Sequence, residues 1–223
     1  MPGANRLKNR IKLIPSVGDL GENGDLSVDA LISDNARDLV SLFKSLPNAK
    51  GSFATKFVNP ELLSYDPKGA TRIRMSLMPS QVTKLVDVRT TPIVDRIAFI
   101  NELVAAGYEV HINFSPVIVY DGWESDWKCL FEQIDQTLSH AAKQQLKAEV
   151  IFLTHNAQLH DVNLSWHPKA EDILWRPDLQ EKKWSQSGQQ NVRYRSVSKR
   201  AYLARFKELL GATLLYCEIR YAF

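Results

Sequence analysis

The sequence predicts an α/β protein whose strands run mostly parallel and curl into a partial (β/α) barrel. Three observations carry that expectation. Strand-like segments alternate with amphipathic helices along most of the chain. Residues 91–114 run helix, Gly107 stop, strand, and Ile93, Ile97, Ile100, Leu103 and Val104 form an apolar stripe on the helix. Residues 71–78 alternate strictly, with Ile73, Met75 and Leu77 on one face and Arg72, Arg74 and Ser76 on the other. Helices between successive strands imply right-handed crossovers, and so a parallel sheet.

Residues 1–20 carry Arg6, Lys8, Arg10 and Lys12, and their apolar stretch breaks at Pro15. They read as a loose basic tail, without the apolar core of a secretion signal. Residues 21–223 make the partial barrel, ending in a basic hairpin and helix. Residues 24–27 suit a short strand or turn. Asp34 is placed to cap a helix through Leu46 whose apolar positions are Leu39, Val40, Leu42, Phe43 and Leu46. Pro47 and Asn48 stop it, and residues 51–58 follow as a strand. Asn59-Pro60 opens a short helix, and residues 66–69 turn the chain into the alternating strand. Beyond Gly107 come a strand over 109–114, a loop over 116–122 and a helix over 123–140. A strand over 149–153, helical turns over 157–175, a polar hairpin over 184–195, a helix over 198–210 and a strand over 213–221 complete the chain. About five barrel strands are legible by this pattern.

Composition narrows the function classes. At 223 residues, 44% hydrophobic and 24% charged, the chain suits one ordinary globular domain. No apolar run approaches the ~20 residues of a membrane helix. Two widely separated cysteines, Cys129 and Cys217, give no disulfide framework and fit a reducing cytoplasm. The net charge is +3, yet residues 181–207 hold eight basic side chains against the single acid Glu181. A solvated basic surface and a phosphate-neutralising footprint are both open readings of that segment.

Several side chains stand where parallel sheets bind ligands, at the carboxyl ends of strands. Lys56 closes an apolar run, as a snorkelling lysine or one that faces an anion. Ser76 ends the alternating strand, as a turn hydroxyl or a ligand contact, and Arg72 and Arg74 on its face require internal carboxylates or a phosphate-bearing ligand. Ser115 precedes Pro116, which withholds an N–H and leaves the neighbouring carbonyl open to a ligand. Asp121, Gly122, Trp123 and Glu124 read as a helix start, with Asp121 capping. His155 follows an apolar strand as a structural or a substrate-facing histidine. The five histidines, at 111, 140, 155, 160 and 167, show no metal-binding spacing, so no metal site is expected. No catalytic residue is assigned.

The segments Phe53-Ala54-Thr55-Lys56-Phe57, Thr71-Arg72-Ile73-Arg74-Met75-Ser76-Leu77, Asn113-Phe114-Ser115-Pro116-Val117-Ile118-Val119-Tyr120 and Asp121-Gly122-Trp123-Glu124, in this order and spacing, resemble the spore photoproduct lyases. Those are radical S-adenosylmethionine enzymes that repair ultraviolet-damaged thymine pairs in DNA. The resemblance runs from about residue 24 to residue 223 and implies a partial (β/α) barrel of the radical S-adenosylmethionine type, truncated at its N-terminal side. It implies that Lys56, Ser76 and Ser115 contact S-adenosylmethionine, and that Arg193, Tyr194 and Arg195 belong to a hairpin that enters DNA at the lesion, the aromatic stacking on bases. In the family a reduced four-iron cluster cleaves the cofactor, and the resulting radical abstracts hydrogen from the damaged thymine pair and triggers carbon–carbon cleavage. The cluster sits on a C-x-x-x-C-x-x-C loop that this sequence lacks. The chain is therefore expected to hold no cluster alone, to be inactive alone, and to work with DNA and a missing N-terminal, cluster-bearing portion. The family's hydrogen-returning cysteine also has no counterpart in the nearest segment, Gly24-Asp25-Leu26-Ser27-Val28-Asp29. The alternatives are a non-catalytic nucleic-acid-binding module derived from such an enzyme, and a phosphate-ligand barrel if Arg72 and Arg74 bind a small anion.

Overall fold

The structure, a computed structural model, describes residues 16–20, 24–184, 188 and 190–222. The alternation that marks residues 71–78 appears as β3 (Thr71–Leu77), with Ile73, Met75 and Leu77 fully buried on one face. Around it the chain builds β1 (Ser16–Leu20), β2 (Ala49–Thr55), β4 (Glu109–Val117), β5 (Lys147–Phe152) and β9 (Glu218–Ala222). These form a six-stranded sheet in the order β1-β2-β3-β4-β5-β9, every pairing parallel. It is a partial barrel, as the sequence predicts.

Helices join the strands. The pair α1 (Leu26–Ile32) and α2 (Asn35–Ser45) leads from β1 to β2, and α3 (Ser80–Val86) and α4 (Ile93–Ala105) lead from β3 to β4. The pair α5 (Trp123–Thr137) and α6 (His140–Gln145) leads to β5. The last crossover is long. It holds β6 (Thr154–His155), α7 (Ala157–Trp166), α8 (Pro168–Leu174), β7 (Gln180–Trp184), β8 (Gln190–Tyr194) and α9 (Ser196–Thr213). Its strands form a separate antiparallel sheet in the order β6-β8-β7. Helix α9, which follows this small sheet, is anchored by an aromatic cluster in which Phe114 of β4 meets Trp127 and Phe131 of α5 and Phe206 of α9 edge-on, at centroid distances of 5.4–5.7 Å. Each such pair contributes ~0.5–1.5 kcal/mol beyond its buried area.

Several boundaries differ from the sequence reading. Residues 16–20 form the edge strand β1 rather than the end of a basic tail. With Gly18 and Asp19 inside it and most of its side chains exposed, it has no apolar period to announce it. The rest of that tail lies outside the described residues. Residues 24–27 start a helix: Asp25 caps α1, accepting the backbone N–H groups of Ser27 and Val28. Residue 122, not Asp121, caps α5, because the chain takes φ +86° there and glycine adopts that without strain. Glu124 then pairs with Arg205 of α9 at 2.6 Å. Helix α9 runs to Thr213, so the last strand starts five residues later than expected, at Glu218. Cys129, whose place in a helix beside Trp127 suits a core residue, is exposed, whereas Cys217 is buried just ahead of β9. No described helix is long and apolar enough to cross a membrane.

Candidate functional site

Side chains at register positions share a face of a parallel sheet, which defines the inner surface of the partial barrel. Ser52 and Ala54 stand beside Arg72 and Arg74. Those two stand beside Glu109 and His111, and Ser76 stands beside Asn113, itself level with Glu149. The face is polar and closes largely on its own charges. Glu109 takes Arg72 at 2.7 Å and also Lys50, and His111 Nε2 lies 2.8 Å from it. Glu149 takes Arg220 at 3.0 Å, Arg74 at 3.4 Å and the Tyr221 hydroxyl at 2.9 Å, while Arg74 also reaches Asp19 at 3.6 Å. Internal carboxylates thus answer both arginines, and the phosphate-ligand barrel loses its basis.

The pairing makes the amino end of the face acid-sensitive. Burial alone would raise the Glu109 carboxyl, but the adjacent His111 imidazole and hydrogen bonds from Lys50 and Arg72 outweigh it and hold the group well below its ordinary range. Burial pushes the His111 imidazole down, so it is neutral at pH 7. A depressed carboxyl stabilises the fold above its unfolded pKa of about 4.3, and loses that contribution as pH falls through the lower folded value. The melting temperature is therefore expected to drop progressively below about pH 4.3. Glu109→Gln should flatten that drop and lower the melting temperature at pH 7, as read by circular dichroism at several pH values. An unchanged profile in Glu109→Gln would dismiss this network as the acid-labile element.

At the carboxyl edge the sequence candidates occupy neighbouring strands. Lys56 stands two residues past Ala54, with its ammonium 2.5 Å from Asp87 Oδ1. Ser76 is buried near the end of β3, its carbonyl accepting from Arg96 at 2.9 Å. Ser115 follows Asn113 by two in β4, which continues through Pro116 to Val117, and the Ser115–Pro116 bond is cis. Two residues that sequence reasoning did not single out hold this edge together. Asp25, besides capping α1, accepts the Lys56 backbone N–H at 2.7 Å and the Thr55 hydroxyl at 2.6 Å. Fully buried Arg96 donates to the carbonyls of Ser76 and Thr91 and lies 3.8 Å from Asp87 Oδ2. Asn113 Oδ1 is buried there and has no hydrogen-bond partner.

The hairpin candidates separate. Arg195 is exposed and donates to the carbonyls of Asp178 and Pro177, and half-buried Arg193 lies 3.4 Å from Glu181. Tyr194 lies inside. It is 1% exposed, packs edge-on against Phe152 and Tyr202, and accepts the Val119 N–H through its hydroxyl at 2.8 Å. Burial pushes that phenol up to about 12. Stacking on a base would require the ring to leave this pocket, so its position suits an anchor better than a wedge. The exposed aromatic is Trp184, 66% accessible at the end of β7 and paired with Gln190. Residues 185–187 and 189, between these strands, lie outside the described residues.

The long crossover also gathers His155 from β6, His160 from α7 and Glu171 from α8, which sequence spacing does not connect. Beside α9 lies a cleft of about 910 Å³, lined among others by Tyr120, Glu124, Arg176, Tyr202 and Arg205.

The family model described as "Spore photoproduct lyase" matches residues 23–223. Over 100 residues, 44% of this chain, the sequence is 31% identical to the spore photoproduct lyase of Bacillus subtilis (strain 168) and 28% identical to that of Clostridium acetobutylicum; the match covers 29% of each relative. The fold is similar to a solved spore photoproduct lyase complexed with dinucleoside spore photoproduct (TM-score 0.85, 19% identity), and to a spore photoproduct lyase mutant with bound AdoMet and the same dinucleoside (TM-score 0.86, 18% identity). Both superpositions cover 94% of this chain and 62% of the solved one.

Proposed function

The chain belongs to the spore photoproduct lyase family, and from that premise we propose that it serves the repair of ultraviolet-damaged thymine pairs in DNA. In this role it contributes the strands that cradle S-adenosylmethionine and the hairpin that meets the damaged strand. The observation that carries this is the polar carboxyl edge of the inner face, where Lys56, Ser76 and Ser115 lie on adjoining strands beside an unpartnered Asn113 Oδ1.

The cofactor suits that edge. Lys56 offers a cation to its carboxylate, while Ser76, Ser115 and Asn113 offer polar atoms to its hydroxyl and amino groups. Once cleaved by an electron from a reduced cluster held outside this chain, the cofactor would supply hydrogen abstraction from the lesion. Arg96 and Asp25 hold the strand ends, and Asp87 keeps Lys56 aimed along the edge. Calorimetric titration with S-adenosylmethionine tests this. Lys56→Ala is expected to weaken binding about tenfold or more, since a charge-assisted hydrogen bond contributes ~1.5–3 kcal/mol. Equal affinity in a variant with unchanged melting would remove Lys56 from the site.

A four-iron cluster does not suit this chain. Its two cysteines are far apart in sequence, one exposed on α5 and one buried with its thiol pushed up to about 12, whereas ligation needs three close thiolates. The cluster is accordingly assigned to a portion outside this sequence. Anaerobic reconstitution of the chain alone is expected to give no stoichiometric four-iron signal by metal analysis and electron paramagnetic resonance. A full signal would return the radical chemistry to it. The same shortage of thiolates favours a second reading, a nucleic-acid-binding module without chemistry of its own, which gains if wild-type chain fails to bind S-adenosylmethionine.

DNA contact is assigned to the β7–β8 hairpin, with exposed Lys182, Lys183 and Arg195, half-buried Arg193, and Trp184 as the base-stacking side chain. Binding should be salt-sensitive and largely sequence-independent. Arg193→Ala with Arg195→Ala should weaken it less as salt rises. Trp184→Ala should reduce preference for single-stranded or dimer-containing oligonucleotides, since stacking contributes ~1–3 kcal/mol per base. Fluorescence anisotropy at two salt concentrations reads both effects, and binding indifferent to all three substitutions would leave the segment a solvated surface.

A further inference from the structure

We propose that His155, His160 and Glu171 form a binding site for a divalent transition-metal ion, zinc by its chemistry, which pins the crossover that carries the hairpin. The site is separate from the Lys56 edge and does not depend on the function proposed above.

The donors are those zinc prefers, two imidazole nitrogens and one carboxylate oxygen, leaving a fourth position for water. They come from three successive elements and converge, all ligand atoms lying within 4.8 Å of one another. His155 Nε2 is 3.1 Å and His160 Nδ1 2.5 Å from Glu171 Oε2. A tetrahedral zinc with bonds of ~2.0–2.1 Å sets its ligand atoms about 3.3–3.4 Å apart, so side-chain adjustments of under about 1 Å suffice.

The surroundings hold the donors in place. The Asn156 side chain caps α7 by accepting the Leu159 N–H at 2.9 Å, which sets the first turn and brings His160 back toward His155. The His160 ring stacks on Trp175 at 4.3 Å and 13°, and His155 meets the same indole edge-on at 5.8 Å. Asn163 donates to Glu171 Oε1 at 2.6 Å and leaves Oε2 directed at the two imidazoles, the outer-shell arrangement that orients a metal-binding carboxylate. Glu171 is buried, and among the described residues its side-chain partners are the two imidazoles and that amide, with no lysine or arginine. A buried carboxylate needs a compensating positive charge, and a divalent ion supplies it. Because β6 pairs with β8, a metal joining β6, α7 and α8 would brace the base of the hairpin.

The full chain, stripped with a chelator and dialysed, is titrated with zinc chloride against a chromophoric chelator. Bound metal is counted by mass spectrometry, and Co(II) is substituted to read geometry. The expected result is one zinc per chain, a melting temperature raised by zinc, and the visible absorption of tetrahedral Co(II). His160→Ala and Glu171→Gln should each weaken zinc binding by at least about tenfold. His140→Ala, on α6 and outside the cluster, should bind as the wild type does. Since Glu171→Gln removes a buried anion and can impair folding, His160→Ala with a cooperative melt decides the matter. Substoichiometric zinc in the wild type, or undiminished zinc in folded His160→Ala, would overturn the site and leave a hydrogen-bonded histidine–carboxylate cluster.

Discussion

Arg96→Ala is expected to cost about 3–5 kcal/mol of stability, read as a fall in the urea midpoint at unchanged slope. The guanidinium is wholly buried on α4, donates to the Thr91 carbonyl at 2.7 Å, the Ser76 carbonyl at 2.9 Å and the Thr90 hydroxyl, and stands 3.8 Å from Asp87. Alanine takes a donor from the buried Ser76 carbonyl and the half-buried Thr91 carbonyl, at about 1–3 kcal/mol for the buried one, and leaves a cavity beside them. Asp87 keeps only the Lys56 ammonium, so the end of β3 and the loop facing it lose their common tie. Arg96→Lys should fall between, since one ammonium cannot span acceptors that a planar fork reaches together. The contrast with Lys56→Ala separates scaffold from site. Lys56 is partly exposed, so its loss should reduce cofactor affinity with little effect on the urea midpoint, whereas Arg96→Ala should lower both. An Arg96→Ala midpoint within error of the wild type would show that these hydrogen bonds do not hold the edge.

Arg96 also shows where the sequence was legible and where it was not. The apolar stripe of α4 is plain in Ile93, Ile97, Ile100 and Leu103, but Arg96 sits on that buried face, and only its acceptors, 5 and 20 residues back, explain a charge there. The strict alternation of β3 marks the sheet and its polar face, because a period of two is a local property. Edge strand β1 escaped because an exposed strand has no apolar side to repeat. Asp25 was passed over because its cap is local but its ties to Thr55 and Lys56 span 30 and 31 residues. The histidine cluster likewise depends on the packing of α7 against α8. Tyr194 differs for a related reason: an aromatic between two arginines suits a wedge, yet the end of β8 turns the ring into the core between Phe152 and Tyr202.

Glu149→Gln should be comparably costly, about 3–5 kcal/mol, because it breaks a buried charge cluster while preserving its shape. The carboxylate is nearly inaccessible and receives Arg220 on Oε1 and Arg74 and the Tyr221 hydroxyl on Oε2, tying β9 and β3 to β5 across the sheet. With a neutral amide in its place, Arg74 retains only the exposed Asp19 at 3.6 Å, and two guanidiniums face one another's field inside the partial barrel. That imbalance has a second, diagnostic consequence. Internal carboxylates already hold both arginines of this face, so inorganic phosphate should leave the wild-type melting temperature unchanged. The variant face carries uncompensated positive charge, and phosphate should stabilise it through binding to the folded state alone. Thermal melts of both proteins with phosphate or with chloride at matched ionic strength distinguish this from general screening. Phosphate-specific stabilisation of the wild type would mean that Arg72 and Arg74 hold an anion after all, and would revive the small-anion barrel that the pairing of Glu109 and Glu149 argues against.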